Sequence, residues 1–303
     1  MIQVSVPGKV HLMGEHAVVY GKPALLSAVN LRLTVTVEKG TQGIEIISEE
    51  PEDYIRHAVE KVCEHFKIEK VPAMKISVDS QIPPGYHLGS SAAVAVGVVG
   101  ALTYFLKRLW NPSAINQLAY EVEKKMHGNP SGGDNTAVTF GGFLWYRKEL
   151  EFLRSFWQLP MKLPSGLNHF FLIDTGRPKE TTGEMVAFVK LRTQNSTAKM
   201  AKLFSENEAQ TKRVATAIKE GNEKDLIDAM RHGERTLEGM GVVSKKVLPT
   251  IRAIEKLGGA AKILGGGGRT GGVGYLLCYT HNPPEDGIAI VLGEEGIRLE
   301  KKV

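Results

Sequence analysis

The segment 7–21, PGKVHLMGEHAVVYG, sets a lysine, a glutamate and two histidines beside glycines that leave the main chain bare. His11 alternates with apolar residues in the manner of a strand, which favours a structural role for it. Lys9, Glu15 and His16 remain. They raise the question of which chemistry needs a cation, a carboxylate and an imidazole next to exposed backbone.

A second glycine-bearing turn lies in segment 82–97, IPPGYHLGSSAAVAVG, between a predicted strand and a predicted helix. Gly85 and Gly89 allow tight backbone, and Ser90 and Ser91 occupy positions typical of a helix N-cap. Exposed N–H groups at a helix start bind anions, phosphate above all. The alternative is an ordinary loop with a serine cap.

A third turn, KILGGGGRTGGVG in segment 262–274, has six glycines between residues 265 and 272. Such a run costs backbone entropy, which is reasonable where a large group must approach the main chain. The alternative is a flexible hairpin.

Two carboxylates are expected close together in segment 123–142. Glu123 and His127 are four residues apart and share a helix face. The sequence NPSGG at 129–133 should end that helix, reverse the chain and present Asp134. One carboxylate could hold Mg²⁺, which prefers oxygen ligands and substrate phosphates, and the other could take or orient a substrate hydroxyl. The alternative is a solvated helix end with an aspartate cap.

These residues must be positioned by a mixture of strands and helices. Strands are predicted at 2–6, 31–40, 43–48, 73–80, 141–147, 169–176, 260–264, 273–280 and 296–302. Helices are predicted at 51–66, from about Ser90, at 112–127, over 183–257 with breaks near Gly221 and Gly241, and between the last two strands. This order is not a steady βαβα alternation and favours an α+β fold. A division near residue 165 predicts domains 1–165 and 166–303, with the final strands returning to the second half.

Composition narrows the class of protein. The 303 residues are 42% apolar and 23% charged, as in an ordinary globular protein. The net charge of +5 suits an anionic small substrate and also suits weak nucleic-acid binding, so it decides little between them. Cys63 and Cys278 lie far apart and are predicted to be buried thiols in a reducing compartment. The N-terminus lacks the pattern of a signal peptide, and the uncharged stretch 92–106 is too short to span a bilayer, so a cytoplasmic enzyme is expected.

Several common motifs are missing from the sequence. It contains no G-x-x-x-x-G-K-[ST] P-loop, no H-R-D or D-F-G set of a protein kinase, and no G-x-S-x-G elbow.

Four segments together resemble the GHMP kinase superfamily, and within it the mevalonate kinases most closely. They are PGKVHLMGEHAVVYG at 7–21, PPGYHLGSSAA at 83–93, HGNPSGGDN at 127–135 and AKILGGGGRTGG at 261–272. Their order and spacing also fit. Galactokinases typically continue GEH with T-D-Y, phosphomevalonate kinases tend to carry G-E-Y there, and diphosphomevalonate decarboxylases have a different N-terminal motif.

The resemblance implies a two-domain α+β protein with nucleotide and substrate in the cleft between domains. It implies transfer of the ATP γ-phosphoryl group to the 5-hydroxyl of (R)-mevalonate, with Mg²⁺ as cofactor and a homodimer as the expected assembly. No nucleic-acid or membrane partner is expected. A lysine would then neutralise the spreading charge, because phosphoryl transfer depends mostly on positioning and charge stabilisation.

The resemblance also assigns roles residue by residue. Asp134 would be the base or orient the hydroxyl, and Lys9 would touch the reacting oxygens and help hold Asp134. Glu15 would support Lys9 and the first turn, and His16 would sit by the mevalonate carboxylate or hydroxyls. The remaining assignments are mevalonate contact for Thr181 and Thr182; ATP binding for Pro84, Gly85, Leu88, Gly89, Ser90, Ser91 and Ala92; and Mg²⁺ for Ser91 and Glu123.

The sequence departs from the family pattern at His87, where glycine is usual, at Leu264, where Ser or Thr is usual, and at Arg269 and Thr270, which interrupt the glycine run. We expect the His87 side chain to point to solvent; the alternative is a donor to a phosphate. Three other functions compete: another small-molecule kinase of the superfamily acting on a phosphorylated mevalonate or a sugar, a non-catalytic sensor, and a nucleic-acid-binding module. Lys9, Glu123 and Asp134 argue against the sensor, and the lack of a Lys/Arg run argues against the module.

Overall fold

Two β-sheets organise the computed structural model, which describes residues 1–127, 130–150 and 152–302. The strands are β1 (Ile2–Met13), β2 (Ala24–Lys39), β3 (Ile44–Ile47), β4 (Met74–Ser80), β5 (Phe143–Lys148), β6 (Arg154–Leu159), β7 (Phe170–Asp174), β8 (Ala260–Ile263), β9 (Tyr275–Tyr279), β10 (Ile288–Ala289) and β11 (Arg298–Lys302). The helices are α1 (Glu52–His65), α2 (Ser90–Lys107), α3 (Pro112–His127), α4 (Gly133–Phe140), α5 (Thr182–Asn195), α6 (Thr197–Glu220), α7 (Glu223–Met240) and α8 (Leu248–Lys256). Strands, a helical block and strands follow one another, and the α+β prediction is confirmed.

The first sheet has the strand order β11-β1-β2-β4-β3, with β5 also paired to β2 and β6 paired to β5. Strand β1 is buried along almost its whole length, because helices pack on it from both halves of the chain. Its pairing with β2 shifts register between Pro7 and Gly8, where proline cannot donate to the ladder. The irregularity lies directly before Lys9.

Helix α2 is the central helix of this first layer. By length and composition alone its 18 residues would suffice to cross a membrane, but 72% of them are buried inside the protein. A helix that is apolar on all sides belongs to the core of a protein or to a membrane, and the packing of α2 on β1, β2, α1 and α3 accounts for its composition. The buried helix expected around 92–106 is therefore confirmed.

The second sheet has the order β10-β7-β9-β8 and is antiparallel throughout. Helices α7 and α8 pack on β8, and α6 and α7 also reach β1. Lys262 on β8 reaches the His11 carbonyl on β1 at 3.1 Å, so these two strands lie close together.

The structure corrects the sequence-based assignment in several places. No helix lies between β9 and β11 within the described residues; Pro283, Pro284 and Gly287 break that segment, which forms turns and β10. Strand β2 begins at Ala24 rather than near residue 31, and β6 was not predicted. Strand β11 pairs with β1 in the first sheet instead of returning to the second half. The domain division near residue 165 stays a prediction.

Candidate active site

The Lys9 and Asp134 side chains meet at the centre of the candidate site. Lys9 Nζ lies 3.0 Å from Asp134 Oδ2; the lysine side chain is 2% exposed and the aspartate 38%. Lys9 Nζ also lies 3.2 Å from His11 Nδ1. Burial and the neighbouring Lys9 charge hold the pKa of His11 well below its usual range, so this imidazole is neutral. The pair thus has a buried cation and a carboxylate that a substrate can reach.

Asp134 reaches this position through a turn followed by a short helix. Gly132 is the N-cap of α4, with a φ of 84°, and Asp134 is the second helical residue. It is therefore not a helix cap, and the alternative reading of a capping aspartate is wrong. The Gly128–Asn129 part of the predicted turn lies outside the described residues, as does the His127 side chain that was expected to share a face with Glu123.

The predicted phosphate loop packs on the first motif. The Lys9 backbone N–H donates to the Leu88 carbonyl at 2.9 Å, and a Cβ on Gly8 would stand 3.2 Å from the same oxygen. The predicted ATP-binding residues line this loop and the start of α2: Pro84, Gly85, Leu88, Gly89, Ser90, Ser91 and Ala92. Leu88 and Ala92 are buried, so they can offer only backbone groups to a ligand.

Gly89, rather than a serine, is the N-cap of α2. Its φ is 80°, and a Cβ there would stand 2.9 Å from Lys9 Cγ. Ser90 is the first helical residue and donates its hydroxyl to Glu50 at 2.6 Å. The expected serine cap is therefore wrong, and the first turn of α2 carries no side-chain cap from its N-cap residue.

The third glycine run closes the site from the side of the second sheet. His16 Nε2 lies 3.1 Å from the Gly266 carbonyl, and a Cβ on Gly266 would stand 3.3 Å from Thr182 Cα. A Cβ on Gly267 would stand only 2.2 Å from the Val242 carbonyl oxygen. Close packing therefore explains the glycines, and a flexible hairpin does not.

His87 lies against this run and does not point to solvent, so that expectation is wrong. Cβ atoms built on Gly265 and Gly274 would stand 2.8 Å and 3.4 Å from its side chain, and its Nε2 is shielded from solvent without a hydrogen-bond partner among the described residues. Burial lowers the pKa of His87 to about 4. Its φ of 65° lies in the left-handed region that favours glycine, which is the residue that the family resemblance leads one to expect there.

The other departures from the family pattern have structural partners. Leu264 is fully buried in the core. Arg269 stacks on Phe188, with its Cζ 3.9 Å from the ring centroid, and Thr270 donates its hydroxyl to Glu180 at 2.8 Å. Arg269 and Thr270 thus anchor the glycine run to α5 and to the residue Glu180 before it.

Glu15 pairs with Lys262, and Lys9 pairs with Asp134. Glu15, which was expected to support Lys9 and the first turn, belongs to a buried network. Lys262 Nζ donates to Glu15 Oε1, to the His11 carbonyl at 3.1 Å and to the Ile263 carbonyl at 2.6 Å. Burial raises the pKa of Glu15, and Lys262 opposes that shift. Lys262 therefore links β8 to the strand that carries Lys9.

His16 occupies a strained position at the end of the first motif. Its φ is 57°, its side chain is buried, and burial lowers its pKa to about 4. A neutral imidazole held at the glycine run can orient a polar ligand without adding charge.

Glu123 is a buried carboxylate on α3. It is 3% exposed and accepts a hydrogen bond from the Tyr54 hydroxyl at 2.5 Å. Burial and the Glu123 charge raise the pKa of Tyr54, so the phenol stays a donor. Carboxylate and hydroxyl oxygens are ligands that Mg²⁺ prefers, so the chemistry of Glu123 and Ser91 fits this ion. The described residues contain no group of three or more His, Cys, Asp or Glu arranged to hold a metal, so substrate oxygens would have to complete its shell.

Thr181 and Thr182 stand where α5 begins, and both are exposed. Thr181 forms a capping box with Glu184: its hydroxyl accepts from the Glu184 N–H at 3.2 Å, and its own N–H donates to Glu184 Oε2 at 2.7 Å. Thr181 therefore has a structural task, and Thr182 is the member of the pair that touches the glycine run.

Some side chains near the site carried little sequence signal. Arg177 lies over the phosphate loop: a Cβ on Gly85 would stand 2.6 Å from its Nε. Tyr120, Tyr146 and Arg154 surround the turn before Asp134. Lys262 was also missed. Unlike these four residues it lies inside the third motif, so the sequence offered a signal for it.

The chain is similar to known kinases along its whole length. The family model for the GHMP kinases N terminal domain matches residues 53–142. The mevalonate kinase of Archaeoglobus fulgidus is 33% identical over 98% of this chain and 99% of its own length.

Solved structures share the fold at lower identity. A crystal structure of L. major mevalonate kinase in complex with R-mevalonate has a TM-score of 0.78 at 21% identity, covering 92% of this chain and 86% of that one. Streptococcus pneumoniae phosphomevalonate kinase has a TM-score of 0.75 at 18% identity, covering 92% of each chain. The fold alone therefore does not distinguish these acceptors.

Proposed function

Because the chain belongs to the mevalonate kinase family of the GHMP kinases, we propose that it transfers the ATP γ-phosphoryl group to the 5-hydroxyl of (R)-mevalonate. The products are 5-phosphomevalonate and ADP. The contact between Lys9 and Asp134 carries this proposal, because it places a buried cation and an accessible carboxylate beside the glycine-rich phosphate loop.

Asp134 orients the attacking hydroxyl and accepts its proton as the new O–P bond forms. An alcohol has a high pKa, so a carboxylate close to the proton helps most when the bond is partly made. Lys9 stabilises the charge that spreads over the transferred phosphoryl oxygens, and its buried stem holds Nζ in one place. Neutral His11 adds no competing charge beside the lysine.

The glycine-rich loop at 85–89 and the first turn of α2 bind the ATP phosphates through backbone N–H groups. Ser91 and Glu123 are the residues that would hold Mg²⁺, and the bound ion would supply charge neutralisation for the phosphates. The buried position of Glu123 and its hydrogen bond from Tyr54 keep this carboxylate oriented.

The mevalonate contacts come from the side of the site that the third glycine run lines. His16 and Thr182, brought together at Gly266, contact its carboxylate and hydroxyls, and Thr181 fixes the start of α5. Glu15 acts through Lys262 on the shape of the first turn. A cytoplasmic location and a homodimer remain predictions.

An ADP-release assay with mevalonate, phosphomevalonate, galactose and homoserine side by side tests the acceptor. We expect mevalonate to be preferred. Phosphorus NMR of the product should show a phosphate on the 5-hydroxyl; a phosphate on the 3-hydroxyl, or no turnover of mevalonate, would refute the proposal.

A further inference from the structure

The turn before Asp134, residues 130–133, is held by three side chains that belong to none of the four motifs. Tyr120 comes from α3, Tyr146 from β5 and Arg154 from β6, so three separate elements converge on it. None of the three contributes to the chemistry proposed above.

Two of these side chains bond to the same carbonyl. The Tyr146 hydroxyl donates to the Ser131 carbonyl, and Arg154 Nε donates to it at 3.1 Å. A backbone carbonyl has two lone pairs, so both donors can be accommodated. The arginine bond is charge-assisted and is the stronger type.

Arg154 and Tyr120 together hold the neighbouring carbonyl. The Arg154 Cζ lies 3.9 Å from the Tyr120 ring centroid, and its Nη2 donates to the Tyr120 hydroxyl. That hydroxyl donates in turn to the Pro130 carbonyl at 3.3 Å. The guanidinium is thus bonded on one edge and stacked on one face, which fixes its plane.

Tyr120, Tyr146 and Arg154 together form a clamp on the 130–133 turn, and this clamp also explains why residue 132 is a glycine. A Cβ at this residue would stand 3.0 Å from both Arg154 Cδ and Tyr146 Oη, and its φ is 84°. Gly132 is the N-cap of α4, and Asp134 follows two residues later. The contacts therefore set where α4 begins, and with it the direction in which the Asp134 carboxylate leaves the helix.

We propose that Arg154 is a positioning residue for Asp134: it fixes the 130–133 turn so that the carboxylate is held 3.0 Å from Lys9 Nζ. This inference rests on the proposed function for its kinetic consequence. A displacement of about 1 Å at a reacting group can cost about 100-fold in rate, so a clamp outside the site can control catalysis.

The test is Arg154→Met, which keeps much of the stem and removes every donor. We expect kcat to fall about tenfold or more because Asp134 loses its fixed position, while the KM values for ATP and mevalonate stay within about twofold. Gln158→Met is the matched control. Gln158 lies on the same strand and donates to the Phe140 carbonyl at 2.9 Å, at the far end of the same helix, so it should leave kcat unchanged.

Hydrogen–deuterium exchange without substrate gives a second readout that does not depend on the acceptor. Amides in 131–136 should exchange faster in Arg154→Met than in the wild type or in Gln158→Met. Unchanged exchange there, or a kcat within twofold of the wild type, overturns the inference. If the wild type fails to phosphorylate mevalonate, the proposed function fails, whereas the exchange comparison still decides the role of Arg154.

Tyr146→Phe covers the case in which Arg154→Met does not fold. It removes one donor to the Ser131 carbonyl and keeps the ring, so we expect a smaller loss of kcat, about threefold, with faster exchange in the same peptide. Normal kcat and exchange in Tyr146→Phe would overturn the clamp.

Discussion

Asp134 differs from an ordinary surface aspartate in having a buried cation on one side and solvent on the other. Its side chain is 38% exposed, whereas that of Lys9 is 2% exposed. Removing the negative charge of Asp134 therefore affects the buried Lys9 ammonium group as well as the proposed proton acceptor.

For Asp134→Asn we expect kcat to fall by ~10²–10⁴-fold, because asparagine keeps the shape but cannot accept a proton. Binding of ATP and mevalonate should stay nearly normal. Kinetics, both binding constants and the melting temperature should be measured on one preparation. A near-normal kcat would remove Asp134 from the mechanism.

For Glu123→Gln we expect a higher Mg²⁺ requirement, because the proposed Mg²⁺ site would lose one anionic oxygen ligand. Glutamine can still accept the hydrogen bond from Tyr54, so folding should be preserved. Glu121→Gln is the control, since Glu121 is exposed on the same helix and pairs with Lys124 at 2.8 Å. Identical Mg²⁺ titrations for both variants would contradict the ligand role.

At the scale of elements, the start of α2 and the middle of β1 depend on each other. Gly89 combines a positive φ with a close approach to the Lys9 stem, so two separate constraints exclude a side chain there. The position of the predicted phosphate loop and that of the Lys9 side chain are therefore coupled.

Gly89→Ala should impair activity beyond its effect on stability. The φ of 80° costs about 1–2 kcal/mol for a residue with a Cβ, and the methyl group also displaces Lys9. Gly258→Ala is the matched control, because its φ is 91° and no atom lies within 4 Å of the added Cβ. Both variants should melt at lower temperatures, but only Gly89→Ala should lose kcat and raise the KM for ATP.

At the scale of the whole molecule, a buried charge cluster joins the two sheets. Lys262 on β8 bonds to Glu15 and to the His11 carbonyl on β1, and the Glu234 carboxylate on α7 accepts from the Ile263 N–H at 3.1 Å. Burial raises the pKa of Glu234 from 4.5 to about 8. The folded protein thus carries a neutral acid at its centre over a wide pH range.

The sign of the resulting pH dependence follows from proton linkage. The folded state holds the Glu234 proton more tightly than the unfolded chain does. The contribution of Glu234 to the free energy of unfolding is therefore complete below pH 4.5 and is lost as the pH rises through about 8. His16 and His87, with pKa values lowered to about 4, act oppositely: their contribution is present above pH 6.5 and is lost as the pH falls toward 4.

Glu234→Gln should therefore flatten the fall in the free energy of unfolding between about pH 5 and 8. Urea denaturation of the variant and the wild type at several pH values gives the difference directly, and contributions from the histidines cancel in it. Glu206→Gln, an exposed substitution on α6, is the control and should follow the wild type. A pH-independent difference for Glu234→Gln would refute the assignment.

The sequence by itself determined the family, the α+β class and the residues at the centre of the site. These are local properties: glycines required by tight backbone, a lysine and an aspartate in recognisable segments, and periodicity that places the long helices. Gly89 and Gly132 could be identified because each has a positive φ, a local requirement that glycine meets most readily.

Only the tertiary structure decided which charges pair and what holds them. Glu15 meets Lys262 across 247 residues, His87 packs on a glycine run far along the chain, and Arg154 reaches the Ser131 carbonyl from a strand that the sequence did not reveal. Local patterns cannot specify such contacts, because each depends on how two sheets and their helices pack. A buried charge takes the partner that this packing brings within reach.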